Sequence, residues 1–289
     1  MLAQLAISGI VVGSVYALVA LGMTILFRAT SIVNFGHGEF FMLGAFAIYV
    51  LKQGFGWSYP VAIAIAFGLL FLVGVLVERV LIRPLGSAPF LSFAMMTVAF
   101  SFLFKGLTRF FYGRDVSMLP PLLNGEPLDF GSAVLFPQDF LVIAGAGATM
   151  TIFFLFFEYT QVGKIVQAAS QAPRGAALVG INVPAFHSAM WGVAALTGAV
   201  AALLIAPSTL VYPDMGGQML VHAFAAMTLG GFGSLGGAVL GGLSLGIIEN
   251  LMGGYVSSSL VEISAYLVIM LVLLVRPQGV FGEWRTSRV

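Results

Sequence analysis

A chain of 289 residues with 60% hydrophobic and only 8% charged side chains cannot cover a soluble surface, where about 25% charged residues is usual. Its 12 Lys and Arg nearly balance 11 Asp and Glu, and a formal charge of +1 points to no nucleic-acid partner. A mean hydropathy of +1.06 makes lipid the solvent of most of the chain. With no cysteine, neither a disulfide framework nor a thiolate metal site is available.

Backbone polar groups in lipid must pair internally, which restricts a spanning chain to a helix bundle or a closed barrel. Unbroken apolar runs such as Phe140–Phe157 exclude the barrel, whose strands alternate in polarity. The expected fold is therefore an all-α integral membrane protein, a single domain over residues 1–289 with eight or nine transmembrane helices. No charged side chain precedes Arg28, so the first apolar segment, Leu5–Phe27, is expected to be a retained spanning helix rather than a signal peptide.

The remaining segments are Gly38–Leu51, Pro60–Val77, Phe90–Leu107, Phe140–Phe157, Phe186–Ala206, Gln218–Gly230, Gly237–Leu251 and Leu260–Val275. The second, seventh and eighth are short and bounded by glycines, as expected of broken or re-entrant helices that line a cavity. Lys and Arg concentrate on one side of such a bundle. A cytoplasmic C-terminus puts Arg28, Arg79, Arg83, Lys164, Arg174, Arg276, Arg285 and Arg288 inside and leaves Lys52, Lys105, Arg109 and Arg114 outside, with the N-terminus outside too. Residues 108–139 then form an outer, proline-rich cover, and residues 159–185 form the longest inner loop. Glu249 and Glu262 fall near outer helix ends, within reach of water; Trp57, Tyr59 and Trp284 suit the membrane interfaces as anchors.

Three polar interruptions are candidates for function. The first, "SIVNFGHGEFFMLGAF" (Ser31–Phe46), sets Asn34, His37 and Glu39 among glycines. Either Asn34 or Ser31 caps the second helix with Glu39 in its first turn, or the turn lines and gates a passage. An ionisable group inside a membrane costs about 2.5–3.5 kcal/mol on insertion scales and is by default a functional candidate. His37 and Glu39, two residues apart, face different sides of a helix and are not expected to pair. The second, Gly230, Gly231, Gly233 and Ser234 in "GGFGSLGG", joins two short segments, as a helix hairpin or as two half-helices facing the passage. His222, on an apolar helix, is either a packing group or a conditional charge in the passage.

The third is the inner loop, where "KIVQAASQ" and "RGAALVG" flank Pro173 and predict a short helix with a small-residue surface suited to a partner. No G-x-x-x-x-G-K-[ST] phosphate loop is present, so ATP is not bound by that mechanism. The spacings Gly9-x3-Gly13, Gly237-x3-Gly241 and Gly242-x3-Gly246 permit close helix packing, within one bundle or between two subunits.

Four ordered motifs, "VNFGHGEFFMLGAF", "ALVGIN", "GGFGSLGGAVLGG" and "RPQGVFG", together with the outer "GRDVSMLPPLLNG", resemble the branched-chain amino acid permeases of bacterial ABC importers over nearly the whole chain. The resemblance implies a multi-pass inner-membrane subunit that is not an enzyme. It also implies a second related permease, two cytoplasmic ATPase subunits holding ATP and Mg, and a periplasmic substrate-binding protein, with no cofactor on this chain. Gly163, Lys164, Gln167, Ala168, Arg174 and Gly180 then fall in the coupling segment that meets an ATPase. The chain departs from the family pattern at Gln167, where an arginine is common, near Gln171–Ala172, where acidic residues are common, and at His222, often a lysine. Branched-chain or other hydrophobic amino acids are the expected cargo, and alternating access the expected mechanism. Relatives that move urea, short amides or aromatic acids, a stand-alone ion- or proton-coupled transporter, and a passive channel are the alternatives.

Overall fold

The computed structural model describes residues 1–282 apart from Phe130 and Ser132, and every side chain of that range except those of Pro173, Arg174 and Glu262. Trp284, Arg285 and Arg288 lie outside the described residues. The helices are α1 (Leu2–Thr30), α2 (His37–Tyr49), α3 (Tyr59–Val77), α4 (Phe90–Tyr112), α5 (Pro137–Tyr159) and α6 (Gln161–Gln171). They continue with α7 (Pro173–Leu178), α8 (Val183–Ile205), α9 (Met215–Gly230), α10 (Leu235–Tyr255) and α11 (Ser259–Val275). A π turn at Val50–Gly54 extends α2, and a π turn at Glu78–Ile82 followed by a 3₁₀ turn at Arg83–Leu85 extends α3.

Each apolar segment of the sequence lies on one of these helices. Among the described residues, six helices are long and apolar enough to cross a membrane: α1, α3 with its extension, α4, α5, α8 and α10. The eighth segment is a correction, because α10 runs 21 residues rather than stopping short. Its glycines pack against neighbours instead of breaking the helix. The ninth, α11, is the shorter one at 17 residues.

α1 is apolar on every face, the signature of a helix that is buried all round. Its residues from Gly13 to Leu26 are all buried, and α8, α9, α10 and α5 surround it. The outward faces of α3, α4, α5 and α11 show Leu72, Phe102, Ile152 and Leu274 to the surroundings, as lipid-facing helices do. The centre of the bundle is closed by backbone contact. A Cβ on Gly9 would stand 2.7 Å from Ile247 Cα, one on Gly13 2.9 Å from the Gly242 carbonyl oxygen, and one on Gly246 would strike Gly13 itself. The small faces of α1 and α10 are thus spent on each other, and Gly237 and Gly241 are spent on Gly230 and Ala226 of α9. These spacings serve packing within the chain, not pairing between subunits.

Residues 113–136 cover one end of the bundle. They contain a two-residue antiparallel pair, β1 (Leu128–Asp129) with β2 (Val134–Leu135), and are tied to three helices. Gln4 of α1 exchanges two hydrogen bonds with the Val134 backbone (2.7 and 3.1 Å), Tyr59 donates to the Pro120 carbonyl, and the Gln138 side chain accepts from Leu122 N–H (3.2 Å). α6 and α7 lie at the opposite end of α5.

The α1–α10 contact yields a stability test. Gly246→Leu forces a side chain into the α1 backbone, and overpacking of this kind costs about 1–3 kcal/mol or more. Gly147→Leu on α5, where no atom lies within 4 Å, is the matched control. Thermal unfolding in detergent is expected to fall by several degrees for the first and to stay unchanged for the second.

Candidate functional site

The break after α1 is built from its polar residues. Ser31 adopts φ 57 and closes α1 by donating its N–H to Phe27 O (2.7 Å). The chain then turns back into the bundle instead of leaving it. Asn34 Oδ1 accepts from Gly36 N–H (2.9 Å), and Phe35 N–H donates to Thr97 Oγ1 (3.2 Å). α2 begins at Gly36 with no side-chain cap, so the expected capping by Asn34 or Ser31 is corrected: Asn34 folds the preceding turn, and Ser31 ends the helix before it.

His37 and Glu39 diverge, as expected for residues two apart. The His37 ring is fully buried, stands against Gly22 of α1 and meets Phe40 edge-on at 5.8 Å. Neither ring nitrogen has a hydrogen-bond partner among the described residues. Glu39, 2% exposed, sits in the first turn of α2 and accepts from Ser101 Oγ at 2.8 Å.

Facing it is the start of α9. A Cβ on Gly216 would lie 2.6 Å from the Gly38 carbonyl oxygen, and one on Gly38 would collide with Gly216. Two helix N-termini therefore meet, each equivalent to roughly half a positive charge. Glu39 and Asp214, the residue preceding α9, place carboxylates at that junction.

The cations come from α4. Thr97, Ser101, Lys105 and Arg109 recur every fourth residue, one stripe on a helix, and each reaches the junction. Thr97 receives Phe35, Ser101 bonds Glu39, and Lys105 Nζ lies 3.7 Å from both Glu39 Oε1 and Asp214 Oδ1. Arg109 binds both Asp214 oxygens at 2.6 Å, which holds that carboxyl below the ordinary carboxylate range and ionised at neutral pH. Lys105 and Arg109 are expected from the sequence as outer-side charges. They are helix residues engaged with carboxylates.

His222 has its own partner. Its Nδ1 lies 2.8 Å from the Gln218 carbonyl, which can only accept, so the proton on that nitrogen is assigned. Nε2 faces Glu249 Oε1 at 3.4 Å, and Tyr16 stacks on the ring at 4.6 Å. Glu249 is 5% exposed, which corrects the expectation that it reaches water. The burial follows from α9 and α10 packing at glycine contact. Glu262's side chain lies outside the described parts.

The second polar break is a tight hairpin. Gly231 (φ +102) and Gly233 (φ +84) turn the chain, and Ser234 Oγ caps α10 by accepting from Gly237 N–H (3.0 Å). The end of α9 is closed by the "RPQGVFG" segment, because Val280 N–H donates to Leu229 O (2.8 Å) and Phe281 N–H to Gly230 O (3.1 Å). Two sequence motifs thus form one structural unit. It faces a cavity of about 530 Å³ that is also lined by Arg28, Glu158 and Gln171.

On that same side, Thr160 caps α6 by accepting from Gly163 N–H (3.0 Å), and a break at Ala172, with Pro173 opening α7, separates the two helices. Gly163 is buried against the end of α5, and Gln167 donates to Phe157 O (3.1 Å), so these two residues anchor the segment. Lys164, Ala168, Gly180, Leu178 and Val179 are exposed. The side chain of Arg174 lies outside the described parts. A second cavity, about 490 Å³, adjoins a network in which the half-exposed Arg83 binds buried Glu78 (2.8 Å) and Ser188 (2.6 Å). Among the described residues no three His, Cys, Asp or Glu side chains cluster as a metal site.

Of the polar residues that meet at the α2–α9 junction and around His222, Asn34, Glu39 and His222 are candidates in the sequence, whereas Ser101, Lys105, Asp214 and Glu249 are not; His37, also a candidate, meets no polar partner among the described residues. The four-residue repeat on α4 was a legible signal; the meeting of α2 with α9 had none.

Residues 5–276 match the family described as "Branched-chain amino acid transport system / permease component". The chain is 29% identical over 301 residues to the high-affinity branched-chain amino acid transport system permease protein LivH of Escherichia coli K12, covering 98% of this chain and 96% of that protein. It is 29% identical to the corresponding BraD protein of Pseudomonas aeruginosa (99% and 97% covered) and 25% identical to a probable LivH of Methanocaldococcus jannaschii (96% and 91%). In fold it resembles a chain of PsaBC from Streptococcus pneumoniae in complex with Fab, with a TM-score of 0.50 at 16% identity over 96% of this chain and 92% of that one. Relatives named as transport permease proteins, together with six apolar helices, make this a multi-pass membrane transport subunit and not an enzyme. By its match over nearly its full length, the chain belongs to the branched-chain amino acid transport permease family.

Proposed function

We propose that this chain is the permease subunit of an ATP-driven importer for branched-chain and other hydrophobic amino acids, working by alternating access in the bacterial inner membrane. A second related permease completes the passage, and two cytoplasmic ATPase subunits supply the motion. A periplasmic binding protein delivers the cargo to the end covered by residues 113–136. The observation that carries this reading is the full-length family match in a chain whose α2 and α9 start inside the bundle, where discontinuous helices of transporters hold their substrates.

The roles follow. Asn34, His37 and Glu39 at the α2 start, and His222 on α9, belong to the passage and its gate. The hairpin Gly230, Gly231, Gly233 and Ser234 carries movement of α9 and α10 to the inner end. α6 and α7 form the coupling segment: Gly163 and Gln167 fix it to α5, while Lys164, Ala168, Arg174, the turn at Gly180 and the exposed Leu178 and Val179 are offered to an ATPase. Transport of urea, short amides or aromatic acids by the same architecture is separated by a direct cargo assay.

Proteoliposomes holding the assembled complex are expected to take up leucine only with ATP and the binding protein, and this chain alone to take up none under a proton or sodium gradient. Gradient-driven uptake by the chain alone overturns the assignment and would make the His222–Glu249 pair a proton relay. Ala168→Trp, on the exposed face of α6, is expected to lower substrate-stimulated ATP hydrolysis about tenfold with assembly intact, an effect of about 1.4 kcal/mol. Unchanged coupling would remove α6 from the mechanism. Glu39→Gln is expected to reduce uptake by about ten- to a hundredfold, since a buried charge-assisted contact is worth about 1.5–3 kcal/mol. Normal rates would make Glu39 a structural residue of the helix start.

A further inference from the structure

The charges at the α2–α9 junction are balanced in number but not in contact. Lys105 Nζ stands between two carboxylates at 3.7 Å from each, beyond hydrogen-bond distance to either. Glu39 Oε1 is bonded to Ser101, but Oε2 is buried without a partner and points toward Gly216, from whose Cβ position it is 3.2 Å. An unpaired oxygen on a side chain only 2% exposed is a deficit that folded proteins seldom leave open. Of the first-turn N–H groups, those of His37, Glu39, Met215 and Gly217 bond carbonyls of the preceding turn (3.1–3.2 Å), which leaves those of Gly38 and Gly216 as further donors. Gly216, in the first turn of α9, has no side chain to screen its N–H.

A molecule carrying an ammonium next to a carboxylate closes all of these deficits together. Its carboxylate takes Lys105 and the α9 first turn, and its ammonium takes Glu39 Oε2 and Asp214. Arg109, bound to both Asp214 oxygens, fixes that carboxylate in place. Below the charges the same face of α9 turns apolar at Leu220 and Phe224, four and eight residues beyond Gly216, and the ring of Phe35 approaches Phe224 at 6.2 Å. A charged head with an apolar face beneath it has the shape of an α-amino acid with a hydrocarbon side chain. The junction opens on the side where Arg109 and Asp214 are about half exposed (side chains 41% and 50%).

We propose that Lys105, Glu39, Asp214 and the facing starts of α2 and α9 form a binding site for the zwitterionic head of an amino acid, with Leu220 and Phe224 against its side chain. This rests on the reading of the chain as an amino-acid permease and gives that passage a subsite of its own, independent of the binding protein. Lys105 reads the carboxylate, and Glu39 with Asp214 reads the ammonium.

The test uses the assembled complex in detergent without the binding protein, and three probes: L-leucine, leucinamide, which lacks the carboxylate, and 4-methylpentanoate, which lacks the ammonium. Equilibrium binding is expected to be saturable for leucine and at least about tenfold weaker for each analogue. Lys105→Met is expected to weaken leucine about tenfold and abolish its advantage over leucinamide, while Lys105→Arg restores that advantage. Asp214→Asn is expected to erode the preference over 4-methylpentanoate instead. A merely structural role for Lys105 would weaken the three probes alike. Equal binding of leucine and its analogues by the unaltered complex, no saturable leucine binding at tens of millimolar, or an unaltered preference in Lys105→Met each overturns the site. ATP-dependent leucine uptake with the binding protein present separates the two levels. If that uptake occurs while the preference does not respond to Lys105, the site alone is wrong; if the unaltered complex takes up no leucine, the permease reading itself fails.

Discussion

The structure depends on two helix starts held in backbone contact inside an apolar bundle. Gly38 and Gly216 meet so closely that neither position has room for a side chain, and the positive ends of α2 and α9 are thereby forced together. In a low-dielectric interior that arrangement requires negative charge nearby. Glu39 and Asp214 supply it, and Lys105 and Arg109 return the junction to balance. Residues that look anomalous in an apolar chain are thus consequences of breaking two helices at one place.

The remaining architecture holds that junction. α1 runs the length of the bundle with no exposed face along its middle, and glycine contacts press it against α10. α10 in turn presses on α9 through Gly230 and Gly237. The loop before α9 is pinned from the covered end by a pair of 2.9 Å backbone bonds between Ser117 and Val211. At the other end of α9 the backbone carbonyls of Leu229 and Gly230 are satisfied by the segment after α11, which needs the positive φ of Gly231 and Gly279. α9 is consequently held at both termini by chain segments outside it.

The α6–α7 end has a different character. Gly163, Val166 and Ala169 seat α6 on α5 and α1, Ala176 of α7 is buried too, and most of the remaining described surface is exposed. A helix of 11 residues is marginal in isolation, so its attachment to α5 and the Thr160 cap give it definition. The same end carries the α9–α10 hairpin across a shared cavity. α6 touches α5 and α1 directly and faces the hairpin only across that cavity.

What could be read from residues alone was whatever depends on local composition and periodicity. Lipid as solvent, helices under all nine apolar segments, the break near Gly36 and Gly38, the turn at Gly231 and Gly233, and the division of the inner loop at Pro173 all follow from side-chain character within a few residues. The stripe of Thr97, Ser101, Lys105 and Arg109 also stood in the sequence, because a four-residue repeat is itself local. Tertiary structure alone decided that this stripe faces the starts of α2 and α9, that Glu249 turns inward to His222, and that the glycine spacings of α1 and α10 serve each other. Helical period tells which residues share a face. It carries no information about which face meets which, because that depends on how closely backbones from distant parts of the chain can approach.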